Sequence, residues 1–208
     1  AITGIGTYDI PAGNTDINIQ LTSGTGNVNV YPLHITREAS SNKYINGILI
    51  NGIEYSGFEK EKFEYDIEMP ASVEYIDIDV IKGSTSQEIT GTGNFKFSDN
   101  FVSKTILIVS ENKTESQHYI LNFTREKSTK LKNIDLGNDL IKDFDFMPNT
   151  FEYDIEIPDT ILQLDIDALP YYNGVSTSIE GEKYLEEEGT IIVTAKLDGL
   201  EDSVYKIN

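Results

Sequence analysis

The sequence predicts an all-β protein built from tandem β-sandwich domains, and three observations support that prediction. The stretch YPLHITREAS at 31–40 returns as YILNFTREKS at 119–128, which is 88 positions later. Apolar and polar residues alternate with a period of two through the repeated segments, as they do in strands with one buried face. We find no amphipathic helical stretch of useful length, and short strands without helices are typical of a β-sandwich.

Further matched segments extend the repeat over most of the chain. KFEYDIEMPASVEYIDIDV at 62–80 aligns with TFEYDIEIPDTILQLDIDA at 150–168, and ITGIGTYDI at 2–10 aligns with ITGTGNFKF at 89–97. Segments that agree in the same order at nearly one shift indicate tandem domains. We therefore predict the C-terminal half of a repeat at 1–38 and two further repeats at 39–126 and 127–208.

The half-repeat at 1–38 is predicted to leave an apolar face without a cover. Its alternating strands are joined by the turn residues SGTGN at 23–27, and nothing in it matches the front half of a repeat. We therefore expect its inward-facing residues to lie open: Tyr8, Ile10, Ile19, Leu21, Leu33 and Ile35. An apolar patch of this size calls for strands from elsewhere. An upstream piece, a partner fragment or a second copy would supply them, so self-association through 1–38 is one predicted interaction.

The two full repeats carry matched aromatic strands. Tyr65 and Tyr153 stand at the centre of these strands, so we predict that they are core residues in equivalent places. Leu164 and Ile166 alternate with acidic residues and predict a further strand in the last repeat.

Turn residues separate the predicted strands. SENKTES at 110–116 and LDGLEDS at 197–203 predict tight connections between antiparallel strands. GTGN at 91–94 resembles a phosphate loop, but no helix follows it, so we predict another hairpin there.

Composition excludes several classes of function. The chain has 208 residues, no cysteine and a net charge of −19, with a pI near 4.3. Such a charge repels phosphate backbones and anionic lipids, so nucleic acid is excluded as a partner. No apolar run is long enough for membrane insertion. The chain opens with Ala1-Ile2 and no signal peptide, so we expect a processed or excised piece.

In the last repeat, the order of aliphatic, glycine, aromatic and proline positions resembles that of the bacterial cadherin-like β-sandwich repeats. The residues that carry this resemblance are Leu131, Ile134, Leu136, Gly137, Phe146, Tyr153, Pro158, Gly181, Gly189, Asp198, Gly199 and Tyr205. The middle repeat departs from the pattern at its last hairpin, where SENKTES replaces the Asp-Gly pair. The resemblance implies an immunoglobulin-like sandwich in exported bacterial proteins, extracellular or cell wall-associated, where such repeats act as spacer, adhesion or accessory modules.

No catalytic residue is predicted. His34 and His118 fall on the outward phase of their strands, which favours surface histidines. Asp77 and Asp79 lie side by side on one wet strand face, whereas a glycosidase places two carboxylates across a cleft. We therefore predict that the protein is not an enzyme.

Two ligand sites stay open as alternatives. Tyr171 and Tyr172 form an exposed-looking aromatic pair in PYYNG, which would stack on a sugar ring or cover the edge of the core. Glu186, Glu187 and Glu188 form an acidic run that would bind calcium; otherwise no cofactor is predicted.

The function that these observations favour is a non-catalytic spacer or adhesion segment of an exported bacterial surface protein. Its partners would be other domains of the same protein, and glycan or cell-wall material. The alternative is a carbohydrate-binding accessory module of a secreted hydrolase.

Overall fold

The computed structural model describes residues 1–137, 141, 144–181 and 189–208. Strands are the regular secondary structure throughout this part of the chain, which contains no helix, so the all-β prediction is confirmed. The strands form five sheets in three successive groups. We call these groups unit one (1–37), unit two (45–125) and unit three (131–207); the domain boundaries at 38 and 126 stay predictions.

Unit one is a single antiparallel sheet in the order β1-β2-β3. Its strands are β1 (Ile2–Thr3), β2 (Gly13–Thr22) and β3 (Val28–Arg37). β2 and β3 pair over their full length, from Gly13 opposite Arg37 to Thr22 opposite Val28. The turn predicted at 23–27 joins them, with the Ser23 amide donating to the Asn27 carbonyl at 2.9 Å.

Unit two is a sandwich of two four-stranded sheets. Its strands are β4 (Gly47–Ile50), β5 (Ile53–Glu54), β6 (Glu64–Met69), β7 (Tyr75–Ile81), β8 (Glu88–Thr90), β9 (Gly93–Lys96), β10 (Phe101–Val109) and β11 (Ser116–Arg125). One sheet has the order β6-β11-β10-β8 and the other the order β5-β4-β7-β9. β6 runs parallel to β11, with Tyr65 opposite Leu121.

The core of unit two lies between these sheets. Tyr65 and Tyr119 from one sheet and Ile48 and Ile76 from the other are at most 1 % exposed. Alternate residues of β6 are buried, so the predicted period of two is confirmed there. Burying several large apolar side chains at about 1.5–3 kcal/mol each stabilises a unit that has no disulfide.

The glycine stretch at 91–94 does not form a hairpin, so that prediction is wrong. β8 belongs to the sheet of β10, whereas β9 belongs to the sheet of β7. The chain therefore crosses between the two sheets at Gly91. Gly91 has φ +89°, and a Cβ there would overlap the carbonyl oxygen of Thr105. The glycine is needed because the crossing chain passes so close to β10.

Unit three has a four-stranded sheet in the order β13-β17-β16-β15 and a two-stranded sheet of β12 and β14. The strands are β12 (Leu131–Asp135), β13 (Glu152–Tyr153), β14 (Asp167–Pro170), β15 (Ser176–Gly181), β16 (Ile191–Lys196) and β17 (Ser203–Ile207). The strand predicted around Leu164 and Ile166 begins only at Asp167. The pairing of β12 with β14 ends at Asp135 opposite Asp167. Just beyond it, a Cβ on Gly137 would overlap the Asp165 carbonyl oxygen, so the two segments still run close together.

Equivalent tyrosines mark the repeat in units two and three. The Tyr65 hydroxyl donates to the Glu59 carbonyl at 2.7 Å, and the Tyr153 hydroxyl donates to the Met147 carbonyl at 2.8 Å. Each tyrosine thus fixes the backbone six residues upstream. Tyr65 is buried, whereas Tyr153 is half-buried.

Candidate functional site: the junctions between units

The first junction joins the end of β3 to the turn between β10 and β11. Arg37 Nη1 donates to Glu111 Oε2 at 3.1 Å, and Arg37 Nη2 donates to Glu111 Oε1. This is the two-pronged arginine–carboxylate geometry that makes charge-assisted hydrogen bonds strong and specific. The Glu111 side chain is only 10 % exposed, whereas the Arg37 side chain is 36 % exposed, so the carboxylate is shielded from water and the guanidinium is partly solvated.

The linker that follows β3 is held by the same turn. The Ser40 amide donates to Glu111 Oε2 at 2.9 Å, and the Asn112 amide donates to the Ser40 carbonyl at 3.1 Å. Lys43 Nζ donates to Glu115 Oε2 at 2.8 Å. Linker and turn therefore form one hydrogen-bonded cluster.

These contacts shift the pKa values of the charged groups. The hydrogen bonds from Arg37 and then from the Ser40 amide lower the pKa of Glu111 from 4.5 to about 2. The hydrogen bond to Glu111 raises the pKa of Arg37, and the hydrogen bond to Glu115 raises the pKa of Lys43. The cluster is therefore charged at neutral pH.

The second junction joins units two and three through a pair of asparagines. Asn100 Nδ2 donates to the Asn173 carbonyl at 2.7 Å, and the Asn173 amide donates to Asn100 Oδ1 at 3.0 Å. Lys132 and Glu74 form a salt bridge across the same boundary. Polar groups of both units thus meet in direct pairs.

Tyr171 and Tyr172 lie beside this second junction. Both side chains are half-buried, and the Tyr171 amide donates to the Lys130 carbonyl at 3.3 Å. The next residue, Asn173, makes the contact to unit two. The loop is therefore tied down on both sides, and sugar stacking by the tyrosine pair stays a prediction.

The predicted metal site cannot be placed, and the two histidines lie on the surface. Glu186, Glu187 and Glu188 lie outside the described residues. Among the residues that the structure does describe, no group of three or more His, Asp or Glu side chains is placed to hold a metal ion. His34 and His118 are exposed as predicted, and His34 Nδ1 lies 2.7 Å from Asp16 Oδ1.

Sequence reasoning missed the junction cluster, although one signal pointed to it. The sequence predicts a tight connection at SENKTES and shows that it departs from the Asp-Gly pattern, but neither observation names its partners. Glu111, Asn112 and Glu115 in that turn are the residues that hold the linker. The residues that replace the Asp-Gly pair in this turn are therefore the ones that form the junction.

Comparisons with known proteins give little further guidance. No family model matches the chain, and no curated protein matches it. One similar solved structure is a SusE-like, surface-located polysaccharide-binding protein from the Bacteroides thetaiotaomicron heparin utilisation locus, with 11 % identity and a TM-score of 0.26. The match covers 100 % of this chain and 52 % of that one, so the chain spans about half its length.

Another similar structure is mouse protocadherin-24 EC1-3, with 10 % identity and a TM-score of 0.24. That match covers 95 % of this chain and 80 % of the other. At these TM-scores neither likeness carries an argument about function. Separately, the described part of the chain holds no helix of the length and apolarity that crossing a membrane requires.

Proposed function

We propose that the chain is a non-catalytic spacer segment of an exported bacterial surface protein, in which tandem β-sandwich units set the reach and orientation of other domains. The observation that carries the proposal is the first junction. There, the two-pronged Arg37–Glu111 pair and the Ser40 amide fix the linker onto unit two. A module that only tethers its neighbours does not need such contacts.

The physical effect of the junctions is to restrict hinge motion. A short free linker still lets neighbouring domains reorient. Here the linker residues Ser40 and Lys43 are bonded to the turn of unit two, and Asn100 pairs with Asn173 at the next boundary. Neighbouring units therefore keep a preferred orientation, as a spacer must in order to hold other domains at a set distance and direction.

Spin-label distance measurements test this proposal. The chain has no cysteine, so cysteines introduced at exposed Gln20, Glu68 and Thr177 can be labelled in pairs. The pair at 20 and 68 reports the first junction, and the pair at 68 and 177 reports the second. We expect one narrow distance distribution for each pair.

Two variants separate the junctions and serve as controls for each other. Glu111→Ala should broaden the distribution between 20 and 68 and leave that between 68 and 177 unchanged. Asn100→Ala, which removes both bonds to Asn173, should do the reverse. Distributions that are already broad in the unsubstituted protein would contradict the spacer proposal.

A further inference from the structure

Unit one exposes an apolar face that is covered in unit two. Tyr31 is 54 % exposed, Leu33 45 % and Leu21 40 %. Their counterparts in the repeat are Tyr119, Leu121 and Ile108, and each of these is 0 % exposed. The same sequence positions are therefore core in one unit and open in the other. Of the residues predicted to lie open, Ile10, Ile19 and Ile35 are instead half-buried, so the face is open only in part.

The structure of unit two shows what is missing from unit one. β1, β2 and β3 correspond to β8, β10 and β11. In unit two, β6 pairs parallel to β11, and the sheet of β5, β4, β7 and β9 covers the face. Among the residues that the structure describes, β3 pairs only with β2. The missing part is thus the counterpart of 45–81, which we call the front half.

An arginine gives a second, independent indication. Arg125 is buried and donates to the carbonyls of Ala71 and Val73, which follow the front half's β6, and of Phe97. Its counterpart Arg37 keeps the contact equivalent to Phe97, since Arg37 Nε donates to the Ile10 carbonyl at 2.7 Å. Arg37 Nη1 and Nη2 donate to Glu111, whereas Arg125 Nη1 donates to the two carbonyls of the front half.

A third indication lies on the outer face of the same strand. Asn122 on β11 donates to Glu64 and Asp66 on β6 at 2.9 and 3.1 Å. Asn208 in unit three makes the equivalent bonds to Glu152 and Asp154. His34 occupies this position on β3. A strand beside β3 that carries acids in the same places would meet a hydrogen-bonding imidazole there.

We propose that the face formed by β1, β2 and β3 is the docking surface for a front-half segment, which adds a strand parallel to β3 and covers Tyr31, Leu33 and Leu21 with a second sheet. In unit two the equivalent segment is joined to β8 by only residues 82–87, and Ile2 on β1 corresponds to Ile89 on β8, so the start of β1 lies where such a segment would meet the sheet.

A second copy of the chain fits this surface less well. Pro32 has no amide hydrogen, whereas its counterpart Ile120 donates to the Phe63 carbonyl of the front half at 2.7 Å. A proline on an exposed edge discourages edge-to-edge pairing. Face-to-face packing would bring together two chains that each carry a net charge of −19. The front half covers the face as well as the edge, so the loss of one bond at Pro32 matters less to it.

A graft tests the proposal with a segment of known sequence. Residues 39–87 are fused ahead of Ala1, so that unit one acquires a copy of the front half of unit two. Amide hydrogen exchange is then compared between the grafted and the unsubstituted chains, both shown to be monomers by light scattering. We expect exchange in 15–37 to slow by about tenfold or more, as burial of a sheet demands. Units two and three serve as internal controls for folding.

Two variants make the result specific. A graft carrying Tyr65→Asp and Ile67→Asp in the added copy should lose the protection. Glu111→Gln should leave it intact, because the Arg37–Glu111 pair belongs to the junction and not to the covered face. Unchanged exchange with the intact graft, or equal protection from the disrupted one, would overturn the proposal. Protection of 15–37 in the ungrafted chain through concentration-dependent dimers would also overturn it, since the occupant would then be a second copy.

Discussion

The tyrosine hydroxyls fix the loops that lead into the parallel strands. The Tyr65 hydroxyl accepts a hydrogen bond from the Glu59 amide and donates one to the Glu59 carbonyl. The Tyr153 hydroxyl makes the same two bonds with Met147. The sequence was enough to predict their equivalence, because both stand in matched alternating segments. It could not predict their different burial, because that depends on how completely each unit surrounds its ring.

Substitution of these tyrosines should distinguish the stability that comes from burial of the ring from the stability that comes from the hydrogen bonds of the hydroxyl. Tyr65→Ala should destabilise unit two by about 3–5 kcal/mol, as for other large core aromatics. Tyr65→Phe should cost only about 1 kcal/mol, because it removes the hydroxyl bonds alone. Tyr153→Ala should cost less than Tyr65→Ala, since its ring is half-buried. Urea unfolding monitored separately in units two and three measures each change, and equal losses at the two positions would contradict this ranking.

At the scale of elements, strands with a clear period of two were predictable and the connections were not. β6 follows the alternation of Tyr65, Ile67 and Met69. Whether β8 and β9 share a sheet depends instead on contacts distant in sequence, and the close approach of Gly91 to Thr105 cannot be read from GTGN. The junction turn was missed for the same reason: its partners, Arg37 and Ser40, lie more than 70 positions away.

Gly91→Ala should destabilise unit two. The new Cβ would overlap the Thr105 carbonyl, and the residue has φ +89°, so the crossing chain must move away from β10. We expect a loss of about 1–3 kcal/mol, which is typical of a strained backbone position. Gly24→Ala is a matched control, since a Cβ there has open space and the backbone is not left-handed. Equal stability of the two variants in thermal unfolding would show that the crossing tolerates a side chain.

The first junction should open in acid. The pKa of Glu111 falls from 4.5 to about 2 in the folded protein, so its contribution is complete above pH about 4.5 and declines as the pH falls towards 2. The distance distribution between labels at 20 and 68 should broaden over this window. Glu111→Gln should show no such titration, which separates Glu111 from the other carboxylates. A distribution that stays narrow throughout would show that the pair does not hold the junction.

For the whole molecule, we predict that calcium has little effect on stability. The junctions are closed by protein–protein contacts such as Arg37–Glu111 and Asn100–Asn173. Millimolar calcium should therefore shift the melting midpoint by no more than about 2 °C, as expected for a weak site. A larger shift that a chelator reverses would point to Glu186–Glu188, and substitution of those residues would then remove it.

The open face of unit one also has a kinetic consequence. While the chain folds, residues 45–81 have two matching sheets within reach, one formed by 1–37 and one by 88–125. Both are adjacent in sequence, so loop closure hardly distinguishes them. Misassembly between similar neighbouring segments is a known failure of repeat proteins. Some chains should therefore pair 45–81 with the wrong sheet and must release it before Tyr119 and Leu121 can be covered.

Refolding from urea should consequently show a slow phase that disappears when residues 1–37 are deleted. The pairing of 45–81 with β11 is the more stable one at equilibrium, because the Ile120 amide donates a hydrogen bond to the Phe63 carbonyl. Pro32, at the same position of β3, has no amide hydrogen to donate. A front half already bound to unit one would cover the sheet of β1, β2 and β3, so residues 45–81 could no longer pair with it. The order in which the units emerge during synthesis would then decide how often the chain misfolds.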